Sequence, residues 1–340
     1  MATSPTLHLP EMDAPLAPPL YERFAPTIVS EILSVSGADL AMGSRQTTLR
    51  GEVSCKGISL HSGIDITMTL RPAPADTGIV FVRTDIDNPV EAAIRAWYEN
   101  VYDVTLSSSI RNAHGHVVAT VEHLMAALAG CRIDNALVEV DGPAVPVMDG
   151  SAQPFVDMIA EAGIAELDAA RRVIRIKRPV RVEDGDRWCE LLPENRSVFE
   201  AVIDFDSAAI GRQRAELELD DGMFDADIAA ARTFCMLQEV EAMHGAGLAL
   251  GGSLDNAIVI DGDTVLNPEG LRAPDEFARH KLLDAVGDVY LTGLPVIGRY
   301  RGHKAGHALH NKMLHALFLE PDAFELITLT GEPAAALAAE

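Results

Sequence analysis

The sequence predicts an α+β protein built as two similar units. Strand patterns precede helix patterns in each half, and one short helical pattern recurs in both. The recurring pattern is H-L-M-A-A-L-A-G from His123 and H-K-L-L-D-A-V-G from His280, with the same helical register and the same closing glycine.

The chain opens with a proline-rich stretch, expected to form a disordered extension over residues 1–44. From residue 47, T-T-L-R-G-E-V-S-C-K-G-I-S-L-H-S-G-I-D-I-T-M-T-L and T-G-I-V-F-V-R alternate at period two between turn residues, which predicts strands and hairpins. A helix is expected over residues 121–129, with Thr120 as N-cap and Gly130 as the stop, followed by a strand and then a second helix over 154–162. A charged linker is expected at 166–172. A second strand set then runs from R-V-I-R-I-K to A-E-L-E-L-D, and helices return near 224–247, over 275–291 and from His307. The domains are drawn as 45–168 and 172–328, with a tail at 329–340.

The 340 residues are 48% hydrophobic and 23% charged, enough to build a core without staples. A net charge of −24 argues against a nucleic-acid partner, because phosphates need a basic surface. Four scattered cysteines, none in a C-x-x-C pair, fit a reducing cytoplasm. No leader and no apolar run of about 18 residues is visible, so a cytoplasmic protein without an anchor is expected. P-loop, dinucleotide-fold, G-x-S-x-G and H-E-x-x-H patterns are absent.

Chemistry concentrates in two helices. On the helix over 275–291, Ala278, Leu282, Ala285 and Val289 form one apolar face, while His280, Asp284 and Asp288 form a polar row at spacing four. The first two of that row can reach a common ion, although a solvated surface row has the same spacing. Glu122 and His123 open the other helix, where the carboxylate could equally serve only the helix dipole. Together, two histidines and one carboxylate satisfy a catalytic zinc with a position left for water, and Glu122 lies beside them as a base. His307, after Gly306, is a candidate acid. Thr233, in R-T-F, offers a hydroxyl that could also be only a local cap. His8, His61, His114, His116, His244, His303, His310 and His315 are expected to be surface or structural.

The motifs T-V-E-H-L-M-A-A-L-A-G, P-V-M-D-G-S-A, A-R-T-F, H-K-L-L-D-A-V-G-D and G-H-A-L-H-N-K occur in that order. In this the chain resembles the bacterial UDP-3-O-acyl-N-acetylglucosamine deacetylases, the zinc enzymes of the committed step in lipid A synthesis, over residues 45–328. The resemblance implies two α+β domains, each layering two helices on a sheet, with the active site between them. It implies one zinc ion on His123, His280 and Asp284, Glu122 as general base and His307 as acid or oxyanion partner. Asp288 would orient His307, and Thr233 would contact the oxyanion. Lys281, Arg187, Phe205 and Lys304 would lie near the uridine diphosphate and sugar, with Phe234 and Leu106 completing the substrate-binding set.

An insert in each domain is also implied, near 98–117 and within 236–266, the second forming the passage for the acyl chain. Thr105 and Ser107 depart from the Met and Cys frequent in the family, and Arg187 stands where some members have Lys. The implied partner is the acylated nucleotide sugar, met by a monomer with only transient membrane proximity. Two rival readings remain: a zinc amidohydrolase on another N-acetylated sugar, and a non-catalytic regulator that binds a nucleotide sugar.

Overall fold

The structure, a computed structural model, describes residues 43–219 and 223–329. The expected extension over 1–44 and the tail over 329–340 therefore lie almost entirely outside the described residues.

The first unit runs β1 (Arg45–Leu49), β2 (Val53–Ile58), β3 (Asp65–Pro72), β4 (Ile79–Arg83), α1 (Pro89–Ala92), β5 (Ala93–Arg95), β6 (Val101–Asp103), β7 (Ser109–Arg111), β8 (Val117–Val118), α2 (Glu122–Gly130), β9 (Ala136–Val140), α3 (Gln153–Ala162) and β10 (Ile164–Ala170). The second runs β11 (Arg172–Ile176), β12 (Val180–Asp184), β13 (Arg187–Leu192), β14 (Ser197–Asp204), β15 (Arg212–Glu218), α4 (Met223–Asp227), β16 (Phe234–Met236), α5 (Leu237–Gly245), β17 (Ile258–Asp261), β18 (Thr264–Val265), α6 (Glu276–Tyr290), β19 (Val296–His303), α7 (His307–Leu319) and β20 (Phe324–Thr328).

The two units share one connectivity. The first sheet has the order β2-β3-β9-β4-β5, antiparallel except where β9 runs parallel to β4. In the second, β12-β13-β19-β14-β15 repeats that order and those senses, with β19 parallel to β14. One helix precedes and one follows each central strand. Each unit's first strand pairs antiparallel with its last, β1 with β10 and β11 with β20. The shared helical pattern is thus one trace of a repeated supersecondary unit, and the α+β architecture of two similar units holds.

Alternation explains the strands. In β3, Ile66, Met68 and Leu70 are buried while their neighbours are not, so one face of the sheet turns inward. On the second sheet α6 lies over β14 and β15, and α7 over β12 and β13. The helices α2 and α6 cross in backbone contact. A Cβ at Gly287 would stand 2.0 Å from the Glu122 carbonyl oxygen, so glycine is what permits the approach. That crossing brings the two chemistry-bearing helices together. One large core runs through both units, and Val173, Ile297, Ile327 and Leu329 form a small separate cluster.

Three local expectations need correction. Residues 166–170 belong to β10 and 172–176 to β11, so the charged stretch is strand and not linker; exposed and half-buried positions alternate along β10, which pairs with β1 in a two-stranded sheet. The helices expected near 224–247 are two short ones separated by the extended Arg232-Thr233-Phe234 segment, which enters β16. Thr120 does not cap α2: its φ is +58°, Val121 holds the N-cap position, and the Thr120 hydroxyl faces Ser107 instead. Small sheets occupy the two regions expected as inserts, β6-β7-β8 and β16-β17-β18. No helix among the described residues is long and apolar enough to cross a membrane.

Candidate active site

The site forms where α2 meets α6. Position four on α6 repeats each turn, so His280, Asp284 and Asp288 share a side, and that side faces α2 and α7 instead of solvent: the three are 1–2% exposed. His123, on the first turn of α2, is 5% exposed and presents its ring edge-on to His280, with centroids 4.9 Å apart.

Three ligand atoms converge. His123 Nε2 and His280 Nε2 lie 3.5 and 3.4 Å from Asp284 Oδ1. Ligand atoms about 2.0–2.2 Å from a tetrahedral ion stand about 3.3–3.6 Å apart, so the spacing suits a metal. Asp284 Oδ1 is buried with no hydrogen-bond partner among the described residues, a costly arrangement unless a cation completes it. His280 Nδ1 donates to the Ala231 carbonyl at 3.0 Å, which leaves the Nε2 lone pair aimed at the centre. Burial pushes His280 down to about 3, so it enters as neutral imidazole. Burial works against the Asp284 carboxylate, but the His280 ring and the Lys281 ammonium, 2.9 Å from Oδ2, hold it well below the usual carboxylate range. These residues fit a divalent cation of the kind that takes nitrogen and oxygen ligands.

Beside this set lie a carboxyl and an imidazole. Glu122 Oε2 accepts from the Ser108 backbone N–H at 3.0 Å, and Oε1 stands 4.0 Å from His307 Nε2. Burial pushes the Glu122 carboxyl up, which makes it a stronger proton acceptor than an exposed glutamate. His307 opens α7, and its Nδ1 lies 2.7 Å from Asp288 Oδ2. Burial opposes the imidazolium, but the Asp288 carboxylate outweighs burial and pushes His307 up to about 9. Asp288 in turn lies far below its ordinary value; its own burial is overcome by His307 and His310.

Thr233 is held by its backbone, which donates to Gly150 O and accepts from Ile258 N, both at 2.8 Å. Gly150 has φ +81°, and a Cβ there would lie 2.0 Å from Asn256 O, so only glycine lets this loop close on Thr233. Arg232 anchors the segment to the head of α6 through Glu276, a pair 2% and 0% exposed. Phe234 stacks edge-on to Phe205 and Phe277, under the Lys281 ammonium 5.5 Å from its centroid. Arg187 and Lys304 stand apart from the cluster, ion-paired to Asp184 and Asp186 at the β12–β13 turn. Leu106 is 42% exposed on the segment between β6 and β7.

Sequence reading missed Ser108, His310, Tyr300 and the Arg232–Glu276 pair. His310 was expected at the surface or in a structural role; it is 1% exposed and bonds Asp288 Oδ2 at 2.7 Å. The signal was its position one turn after His307, on the side facing α6.

The family model for UDP-3-O-acyl N-acetylglycosamine deacetylase matches residues 46–319. The UDP-3-O-acyl-N-acetylglucosamine deacetylase of Acidithiobacillus ferrooxidans is 51% identical over 285 residues, 83% of this chain and 93% of that protein. The proteins of that name from Anaeromyxobacter sp. and Shewanella loihica are 48% and 46% identical, each over 84% of this chain and over 93% and 94% of their own lengths. With a match that spans both units and every element of the site, the chain belongs to the UDP-3-O-acyl N-acetylglycosamine deacetylase family.

Proposed function

We propose that the chain hydrolyses the N-acetyl amide of UDP-3-O-acyl-N-acetylglucosamine, releasing acetate in lipid A synthesis, with one zinc ion on His123, His280 and Asp284. The observation that carries the reading is the buried, unpartnered Asp284 Oδ1 facing two imidazole nitrogens beside Glu122 and His307. The names of relatives that match most of the chain support the substrate. Zinc would lower the pKa of a bound water and polarise the amide carbonyl.

The chain's own groups move the protons. Glu122 takes a proton from the attacking water at Oε1, since Oε2 is engaged by Ser108 N–H. As the carbonyl carbon becomes tetrahedral, the His307 imidazolium and the Thr233 hydroxyl stabilise charge on its oxygen, at about 3 kcal/mol per well-placed donor. The C–N bond then breaks, and the amine collects its proton from His307 Nε2 or from Glu122, which face the same 4.0 Å gap. Lys281 and Phe234 flank the metal set on the side toward Phe205, where the reading puts the sugar and its diphosphate. Arg187 and Lys304 would exchange their turn carboxylates for the nucleotide. The acyl chain would run past the β16–β18 sheet, giving a monomeric enzyme a transient approach to the membrane that holds its substrate.

Acetate release from the acylated nucleotide sugar tests the proposal, with the same sugar lacking its 3-O-acyl chain as comparison. Remote binding energy used at the reacting centre should make the acylated substrate much faster. Equal rates would favour a deacetylase of another N-acetylated sugar, and no release from either a non-catalytic binder.

A further inference from the structure

Asp288 serves two imidazoles at once. Its Oδ2 lies 2.7 Å from His307 Nδ1 and 2.7 Å from His310 Nδ1, while Oδ1 accepts from the Ser108 hydroxyl. Behind His310, Nε2 lies 2.7 Å from Tyr300 Oη, and both side chains are 1% exposed. Burial pushes the Tyr300 phenol well above its usual range, so Oη keeps its proton, and His310 Nε2 is its partner among the described residues. If Oη donates, Nε2 accepts, and the ring's proton must sit on Nδ1, directed at Asp288. The chain of bonds therefore has one direction: Tyr300 to His310 to Asp288, met from the other side by His307.

We propose that His310 is a positioning residue for the reaction: held by Tyr300 in the Nδ1–H tautomer, it fixes the Asp288 carboxylate in the orientation that serves His307. Its catalytic part rests on the deacetylation reading above. Two consequences separate it from a packing role. The second donor on Oδ2 draws negative charge away from His307, so its loss should strengthen the Asp288–His307 pair and move the deprotonation of His307 to higher pH. The same loss frees the carboxylate to turn, so kcat should fall. The other titratable groups that face this carboxylate or its partners are Glu122 from α2, Lys281 and Asp284 on α6, and Cys189 from β13. Changing His310 alters none of them.

The test uses the zinc-loaded full chain. An asparagine amide nitrogen stands as many bonds beyond Cβ as Nδ1 does, so His310→Asn keeps the donor to Asp288, whereas His310→Leu removes it. For His310→Leu the expected result is a loss of kcat of about 10–100-fold, as for other residues that orient an active-site ligand, with KM within about twofold. The basic limb of its pH profile should move upward. His310→Asn should restore both to near the parent values.

Independently of substrate, nitrogen-15 spectra of the ring nitrogens should show His310 protonated at Nδ1 and bare at Nε2, a preference that weakens in Tyr300→Phe. The opposite tautomer in the parent would overturn the proposal. So would a His310→Leu enzyme with an unmoved basic limb, or an asparagine variant no better than the leucine one. Should His310→Leu fail to fold, the asparagine variant and the spectra still decide. A parent chain that releases no acetate would refute the deacetylase reading instead, leaving the spectra to judge the tautomer.

Discussion

Replacing Asp288 by asparagine isolates the electrostatics of the site, because the side chain keeps its shape and loses its charge. In the folded chain His307 is pushed up to about 9 from an ordinary 6.5, and the carboxylate 2.7 Å from Nδ1 is the largest upward influence. That difference of 2.5 corresponds to about 3 kcal/mol of preference for the charged ring. Without the carboxylate, only the weaker pull of Glu122 and Asp284 opposes burial, and His307 should fall to 6.5 or below. At pH 8 the ring would then go from about 90% to about 3% protonated, an about 30-fold loss of any step that needs the cation. The assay is acetate release as kcat/KM across the range from about pH 6 to about pH 10. The parent should lose activity near pH 9 and the variant at least two units lower. A basic limb that stays near pH 9 in Asp288→Asn would refute the assignment of His307 as the required cation. Stability should follow the same sign. The folded value lies above the unfolded one, so this contribution is fully present below about pH 6.5 and lost as pH rises through about 9.

Glu122→Gln keeps the contact with Ser108 and removes the base, so kcat should fall by about 10²–10⁴ while bound metal stays at one per chain; normal turnover would remove Glu122 from that role. Gly287→Ala drives a methyl into the Glu122 carbonyl, and the helix crossing should yield by about 1–3 kcal/mol in a denaturant melt, with kcat falling as the base shifts. An unchanged melt would mean that α2 and α6 have slack at their crossing. Arg232→Leu leaves the Glu276 carboxylate buried without its cation, held only by the backbone N–H groups of residues 232 and 272, which should cost about 3 kcal/mol of stability; a loss below about 1 kcal/mol would show that those donors or water suffice.

What sequence revealed of this molecule follows range in the chain. The strands of β3 and the apolar face of α6 are local periodicities, and they are legible because the sheet and helix repeats act within a few residues. His280, Asp284 and Asp288 are legible as a row for the same reason, though spacing alone did not say that the row is buried. Ser108 reaches Asp288 across 180 residues, and Arg232 reaches Glu276 across 44, so no local pattern announces either contact. The flanks of the extended Arg232–Phe234 segment favour helix, so local propensity predicts one there, while pairing of β16 with β17 and the Glu276 anchor override that preference. Residues 166–172 looked like a linker because they are charged. Their strand pairs at an edge, where charged side chains are at home.

A single metal on His123, His280 and Asp284 would supply the water for amide hydrolysis, and stripping the chain with chelator, then titrating zinc back while following acetate release, puts that proposal to experiment. Activity should vanish on stripping and return in proportion to metal, saturating at one equivalent per chain, with no return in an Asp284→Ala variant. Full acetate release from the stripped chain would contradict it.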